Sequence, residues 1–189
     1  MLSLGVGNAI FPLLELNNDL QVFAFDFAKS AIELMKTNPL YYELNKSSSS
    51  FRVLGQVSDI TGQLPLLDGS VDLCLCMFVL SAIAPFNQPA VFREMARVLK
   101  PGGKVLIRDY GRFDEAQLRF KGSNKIHENF YARQDGTCAY YFTTEELHSL
   151  ASDAGLAVEE NEYLRRKFIN RSQQKCRFRI WIHAKFVKK

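Results

Sequence analysis

Arg97-Val-Leu-Lys-Pro-Gly-Gly-Lys-Val-Leu-Ile-Arg-Asp-Tyr-Gly111 joins a helical pattern to an apolar strand through a tight turn. Upstream, Val91, Phe92, Met95, Val98 and Leu99 recur at helical spacing, which predicts a helix over 88–99 with one stripe on a sheet. Downstream, Lys104 to Arg108 reads as a strand whose end carries Arg108, Asp109 and Tyr110. In open α/β sheets, ligands and chemistry sit beyond the carboxyl ends of the strands. The stretch therefore delivers two charges and a phenol to such an edge.

The rest of the chain supplies alternating partners. Ala9 to Leu16 and Ser30 to Lys36 read as helices, the second ended by Asn38-Pro39. Gln21 to Phe25 and Phe51 to Val57 read as strands, and Val71 to Leu80 as a strand buried on both faces. Residues 111–140 are irregular, polar and aromatic. Thr143-Thr-Glu-Glu146 fits a capping box before a helix that Gly155 stops. Leu156 to Leu164 and Cys176 to Phe186 close the chain as a hairpin, with Phe178, Ile180, Ile182, Ala184 and Phe186 on one face. Alternating β and α predict an α/β fold, a mostly parallel sheet with helices on both faces and an antiparallel hairpin at its end. A length of 189 residues suits one domain, residues 1–189, with 111–141 as an insertion.

Composition narrows the classes. The chain is 47% hydrophobic and 23% charged, as soluble globular domains are, and carries no apolar run of membrane-spanning length. No signal peptide is visible, so the expected compartment is the cytoplasm. The cysteines are Cys74, Cys76, Cys138 and Cys176, read as reduced thiols; one Cys-x-Cys with three histidines is a poor metal site, and none is expected. Residues 161–189 carry a net +9, which leaves −5 for the remainder of a chain whose total is +4. A basic end suits an anionic partner such as nucleic acid, or serves only as a solvated face.

Gly5-Val-Gly-Asn8 before a helix allows backbone to approach a ligand closely, with Gly5, Gly7 and Asn8 as contacts. Asp26 follows Gly7 by nineteen residues at a strand end, where a carboxylate accepts from ribose hydroxyls. Asp59 follows the next strand and suits an adenine amine, while Phe27, Ile60 and Met77 offer apolar contact. The set lacks a P-loop lysine, which disfavours ATP and leaves S-adenosylmethionine or a dinucleotide. The Lys-Pro-Gly-Gly turn and the closing hairpin resemble those of S-adenosylmethionine-dependent methyltransferases, a resemblance that favours the former.

Several short pieces together narrow the reading further: Phe78-Val-Leu-Ser-Ala82, Arg108-Asp-Tyr-Gly111, Gln117-Leu-Arg-Phe-Lys121, Glu128-Asn-Phe-Tyr131, Arg133, Asp135-Gly-Thr137 and Tyr141-Phe-Thr143. In this order and spacing the chain resembles the tRNA N3-methylcytidine methyltransferases, from Gly5 to Lys189. Ala84, before Pro85, departs from the histidine usual in that family. The resemblance implies a class I, Rossmann-like methyltransferase fold, S-adenosylmethionine as cofactor, and the anticodon-loop cytidine at tRNA position 32 as target. It also allows an aminoacyl-tRNA synthetase as a partner. Ser3 and Met1 stand where the family has a glycine and an acid, and Met1-Leu-Ser-Leu4 is a stub of the expected first strand. The chain is therefore expected to be N-terminally incomplete, and a nuclear or mitochondrial address would lie in the missing part.

The chemistry suits these residue types. N3 of cytosine has a lone pair at neutral pH, so methyl transfer needs positioning more than a base. The methylated ring gains positive charge, which a carboxylate stabilises; Asp109 is the first candidate and Asp135 the second. Arg108 and Tyr110 are candidates to hold the base edge or a phosphate. For RNA contact the candidates are Arg119, Phe120, Lys121, Asn129, Tyr131 and Arg133, supported by Arg112, Lys125, Phe130, Tyr140 and Tyr141. Core packing is the competing reading for the aromatics. Two rival functions stay open: a truncated, inactive isoform or binding protein, and a small-molecule methyltransferase, which would have no use for a basic-aromatic insertion.

Overall fold

In the computed structural model, residues 2–3, 9–46, 51–170 and 175–189 are described. The opening stretch folds as its pattern requires. Helix α4 (Gln88–Val98) feeds directly into strand β5 (Leu99–Tyr110). The two glycines of the turn serve different needs. Gly102 has a φ of +78°, which disfavours any other residue. At Gly103 a Cβ would lie 2.9 Å from the Lys100 carbonyl oxygen and 3.2 Å from that of Asp72, so close backbone passage excludes a side chain.

Around this unit lie β1 (Leu2–Ser3), α1 (Ile10–Leu16), β2 (Val22–Asp26), α2 (Lys29–Lys36), α3 (Pro39–Asn45), β3 (Val53–Val57) and β4 (Val71–Met77). After β5 come α5 (Glu115–Leu118), three short strands β6 (Lys125–His127), β7 (Phe130–Ala132) and β8 (Cys138–Tyr140), then α6 (Thr144–Asp153), β9 (Leu156–Asn170) and β10 (Lys175–Lys188). The main sheet has the order β3-β2-β1-β4-β5-β10-β9. Its first five members run parallel, and β10 pairs antiparallel to both β5 and β9. The order reverses at β1 and β4, and such a switch point opens a crevice at the carboxyl ends of the strands.

Both faces are covered by apolar side chains. Val91, Phe92 and Met95 of α4 and Leu147 and Ala151 of α6 pack with Cys74, Cys76, Val105, Ile107, Ile182, Ala184 and Phe186. On the opposite face Ile10, Phe11 and Leu14 of α1 and Met35 of α2 pack with Val22, Ala24, Val53 and Leu75. Cys74 and Cys76 thus face one layer and Leu75 the other, as expected of a central strand. Burial pushes the Cys74 thiol up to about 12 and raises that of Cys76 as well, so both are inert.

The structure corrects the sequence reading at three places. Asn38-Pro39 ends α2 but also starts α3: Pro39 occupies its first turn, and Leu40 N–H donates to Asn38 Oδ1 at 3.0 Å. Residues 111–140 are ordered, with α5 followed by the sheet β6-β7-β8, tied to the main sheet by a bridge between Gly111 and Phe142. Strands of three residues are too short for a period to show in sequence. The closing hairpin is longer than predicted. β10 leaves β5 at the Trp181–Tyr110 pair while its pairing with β9 continues to Lys175 and Asn170. Phe178 therefore shares the parity of Ile182 but is 57% exposed, in the part of the ribbon that has passed beyond its pairing with β5.

Candidate functional site

Asp26, the last residue of β2, and Asp59, two residues beyond β3, begin turns at the carboxyl ends of neighbouring strands. Each commits one carboxylate oxygen to its own turn. Asp26 Oδ1 accepts from Ala28 N–H at 2.9 Å. Asp59 Oδ1 accepts from Thr61 N–H at 2.9 Å and from its hydroxyl at 2.8 Å. These Asx turns fix the side chains and leave each Oδ2 unengaged by the described residues. Both residues line one cavity, together with Phe27, Ser58, Ile60, Met77, Phe78, Val79, Ala82 and Ile83. A cavity lined by two carboxylates and several apolar side chains suits a nucleoside, whose diol and ring amine each call for an acceptor. The structure thus brings together Asp26, Phe27, Asp59, Ile60 and Met77. Gly5, Gly7 and Asn8 lie outside the described residues.

Phe78 stands at the far wall of this cavity. Its φ is +57°, an uncommon conformation for a bulky side chain. Its N–H donates to the Arg108 carbonyl at 2.8 Å, which continues the β4–β5 ladder by one bond. The ring lies 5.2 Å from that of Tyr110 and 5.9 Å from that of Trp181.

Beyond Phe78 the character changes to arginine and aromatic. Tyr110 is flanked by the Arg133 guanidinium at 4.9 Å and the Arg179 guanidinium at 5.7 Å, with Tyr141 at 5.6 Å. Arg108 and Arg179 lie 5.9 and 5.7 Å from the Trp181 ring. Phe120 stacks on Tyr131 at 4.8 Å, and both pack edge-on to Tyr141. Arg108 Nε and Trp181 Nε1 are buried donors with no partner among the described residues.

The carboxylates here are all engaged. Asp114, with no exposed surface, accepts from Arg179 Nε at 2.9 Å, Ile180 N–H at 2.7 Å and Ala116 N–H at 2.8 Å. Glu115 accepts from Arg177 at 2.7 Å and from Phe178 N–H at 2.7 Å. Asp109 has no exposed surface either. Its two oxygens accept from Ser81 N–H at 3.0 Å and Tyr110 N–H at 2.8 Å. Burial pushes its carboxyl up to about 6, against the pull of these hydrogen bonds. In this arrangement Asp109 touches no open surface. It holds the turn at Ser81, whose neighbours Ala82 and Ile83 line the cavity.

Other predicted residues separate into groups. Asp135 is exposed and closes its own turn, accepting from Thr137 N–H at 3.0 Å and its hydroxyl at 2.7 Å. Asn129 is buried at a φ of +59°, with Gln117 Nε2 3.4 Å from its Oδ1. Arg119 and Lys121 are exposed and line a groove with Phe120, Asn124 and Gln134. Sequence reasoning did not single out Asp114, Arg179 or Trp181 as site residues. It placed Phe78 in a motif but gave it no role. Among the described residues no group of three or more His, Cys, Asp or Glu is placed to hold a metal ion, and no helix is long and apolar enough to cross a membrane.

Comparison with known proteins agrees with this geometry. Residues 2–107 match the methyltransferase domain family. The chain is 44% identical over 186 residues to the tRNA N(3)-cytidine methyltransferase METTL2 of Danio rerio, covering 97% of this chain and 52% of that protein. It is 42% identical over 184 residues to the human tRNA N(3)-cytidine methyltransferase METTL6, covering 97% of this chain and 63% of that protein. The chain thus spans about half to two thirds of the length of these relatives. Among solved structures, a SAM-dependent methyltransferase of Methanosarcina mazei superposes with a TM-score of 0.71 at 19% identity, covering 100% of this chain and 92% of that one. At that identity the likeness speaks for the fold, which is that of the class I methyltransferases.

Proposed function

From a chain that belongs to the methyltransferase domain family, whose methyl donor is S-adenosylmethionine, we propose methylation of N3 of a cytidine in the anticodon loop of tRNA. What carries this reading is one juxtaposition. A cavity with acceptors for a nucleoside abuts, across Phe78, a cluster of arginines and aromatic rings suited to a flipped base and its phosphates. A small substrate would leave Arg119, Lys121 and Arg133 without a purpose. The relatives named above favour the same substrate class.

In this reading Asp26 accepts from the ribose hydroxyls of the cofactor and Asp59 from its adenine amine, with Ile60 and Met77 against the rings. The bound sulfonium supplies an electrophilic methyl group. N3 of cytosine supplies its own electron pair, so no protein base is needed, and the work of the chain is positioning and exclusion of water. Arg108 and Tyr110 meet the base edge. Asp109 acts through the Ser81 turn, which sets the cavity wall, and its buried charge favours a cationic ring at a distance. Asp135 orders the turn that presents Arg133. An aminoacyl-tRNA synthetase would add its own contacts to the tRNA.

The test is nucleoside mass spectrometry of tRNA incubated with the chain and S-adenosylmethionine. Formation of 3-methylcytidine, abolished when the loop cytidine is replaced by uridine, is the expected result. Methylation of the uridine-substituted tRNA, or of a small amine in preference to tRNA, would overturn the reading.

A further inference from the structure

Phe78 combines three features that packing alone does not demand. Its backbone is held at a φ of +57°, where a bulky residue is strained, and such strain collects at functional sites. Its ring is 38% exposed although it lies at the carboxyl end of a central strand. It lines the cofactor cavity and also contacts the rings of Tyr110 and Trp181.

Next to this ring, Arg108 Nε and Trp181 Nε1 are buried donors with no partner among the described residues. Arg108 sits 5.9 Å from the Trp181 ring, so both donors belong to one neighbourhood. Buried donors call for an acceptor. Cytosine offers O2 beside N3, both acceptors, on a flat ring that can stack. Uracil replaces the N3 acceptor with a donor.

We propose that Phe78 is the positioning contact for the target base: the flipped cytosine stacks on its exposed ring, and O2 of that base accepts from Arg108 Nε or Trp181 Nε1. The strained backbone places the ring between donor and acceptor sites, so that stacking also aims N3 toward the cofactor. This assignment rests on the tRNA reading above and adds the residue that positions the base.

Trp181 is the single tryptophan of the chain, which makes it a reporter for this pocket. The experiment titrates a stem-loop RNA with one loop cytidine, and its uridine counterpart, while Trp181 fluorescence is followed. S-adenosylhomocysteine binding is measured in parallel by calorimetry. The unsubstituted chain is expected to bind the cytidine loop with a change in Trp181 emission. Phe78→Leu keeps an apolar wall but loses the stack. It should weaken the cytidine loop about tenfold, and any loss of S-adenosylhomocysteine affinity should be smaller than that. Phe78→Tyr should retain the affinity. Phe78→Gly, which relieves the backbone, should melt no lower than the unsubstituted chain while losing RNA affinity as Phe78→Leu does. RNA binding unchanged in Phe78→Leu, or an equal loss of RNA and S-adenosylhomocysteine, would overturn the assignment alone. No response to either RNA from the unsubstituted chain would overturn the substrate reading, and the assignment with it.

Discussion

The two sides of Phe78 use carboxylates in opposite ways. On the cavity side, Asp26 and Asp59 sit on turns, each with Oδ1 holding the turn and Oδ2 unengaged by the described residues. On the arginine side, Asp109 and Asp114 are fully buried and spend both oxygens inside the protein. The first pair is placed to bind. The second pair builds a scaffold on which guanidiniums and rings are displayed. Substitution should therefore separate ligand affinity from stability on one side and couple them on the other.

The largest effect is expected at Asp114. Its replacement by alanine strands Arg179 Nε and the N–H groups of Ile180 and Ala116. Removing one partner of a buried charge pair typically costs 3–5 kcal/mol, and Arg179 is itself 29% exposed, so a loss of about 3 kcal/mol is expected. Urea denaturation reads this directly. A loss below about 1 kcal/mol would mean that water replaces the carboxylate, and the scaffold view would fail.

Asp109 should reveal itself through pH. Its carboxyl titrates about 6 when folded and near 3.8 when unfolded. Between these values the native state holds more protons than the unfolded one. Stability from this group is thus full below about 3.8 and declines as pH rises through about 6. The difference corresponds to about 3 kcal/mol. Asp109→Asn carries an offset of its own, since an amide cannot accept from both Ser81 and Tyr110. Its stability should nevertheless be flatter across that window, and parallel curves for the two proteins would count against a buried, ionising Asp109.

A smaller and cleaner effect belongs to Asp26. Asparagine keeps Oδ1 for Ala28 N–H but turns the open acceptor into a donor. Hydrogen bonds to a charged group contribute about 2 kcal/mol, so S-adenosylhomocysteine affinity should fall roughly thirtyfold while stability moves by under about 0.5 kcal/mol. Equal losses in both would erase the contrast between the two sides.

The same contrast decides what the sequence made legible. Asp26 and Asp59 are readable because their placement is local: a strand end and an Asx turn two residues long. The mostly parallel sheet with its closing antiparallel hairpin follows from alternating elements, whereas the strand order emerges only in the fold. The arginine side is assembled from afar. Asp114 and Arg179 are 65 residues apart, and the φ of Phe78 leaves no trace in composition. Asp109 and Tyr110 look alike as strand-end residues, yet a strand turns successive side chains to opposite faces. Val105 and Ile107 already pointed into the core, and Asp109 shares their parity. That alternation was the available signal that Asp109 would be buried and Tyr110 displayed.

The smallest expected effect tests whether the two sides are independent. Thr143 and Glu146 form a capping box at the start of α6, with Glu146 N–H donating to Thr143 Oγ1 at 3.1 Å and Thr143 N–H to Glu146 Oε2 at 2.7 Å. Glu146 Oε1 also accepts from the Tyr140 hydroxyl at 2.9 Å, so the helix is tied to β8. Burial, with Glu146 beside it, pushes Tyr140 up to about 12, and it stays a donor at neutral pH. Thr143→Ala removes one acceptor and should cost about 1 kcal/mol. α6 packs on the face away from α1 and α2 and lines neither the cavity nor the Tyr110 cluster, so neither ligand should lose affinity. A fall in RNA affinity alone would show that the helix start tensions the aromatic insertion through Tyr140. A fall in cofactor affinity alone would run through Phe142 and the core to the Ser81 turn. Either result would replace two separate sides with one coupled unit.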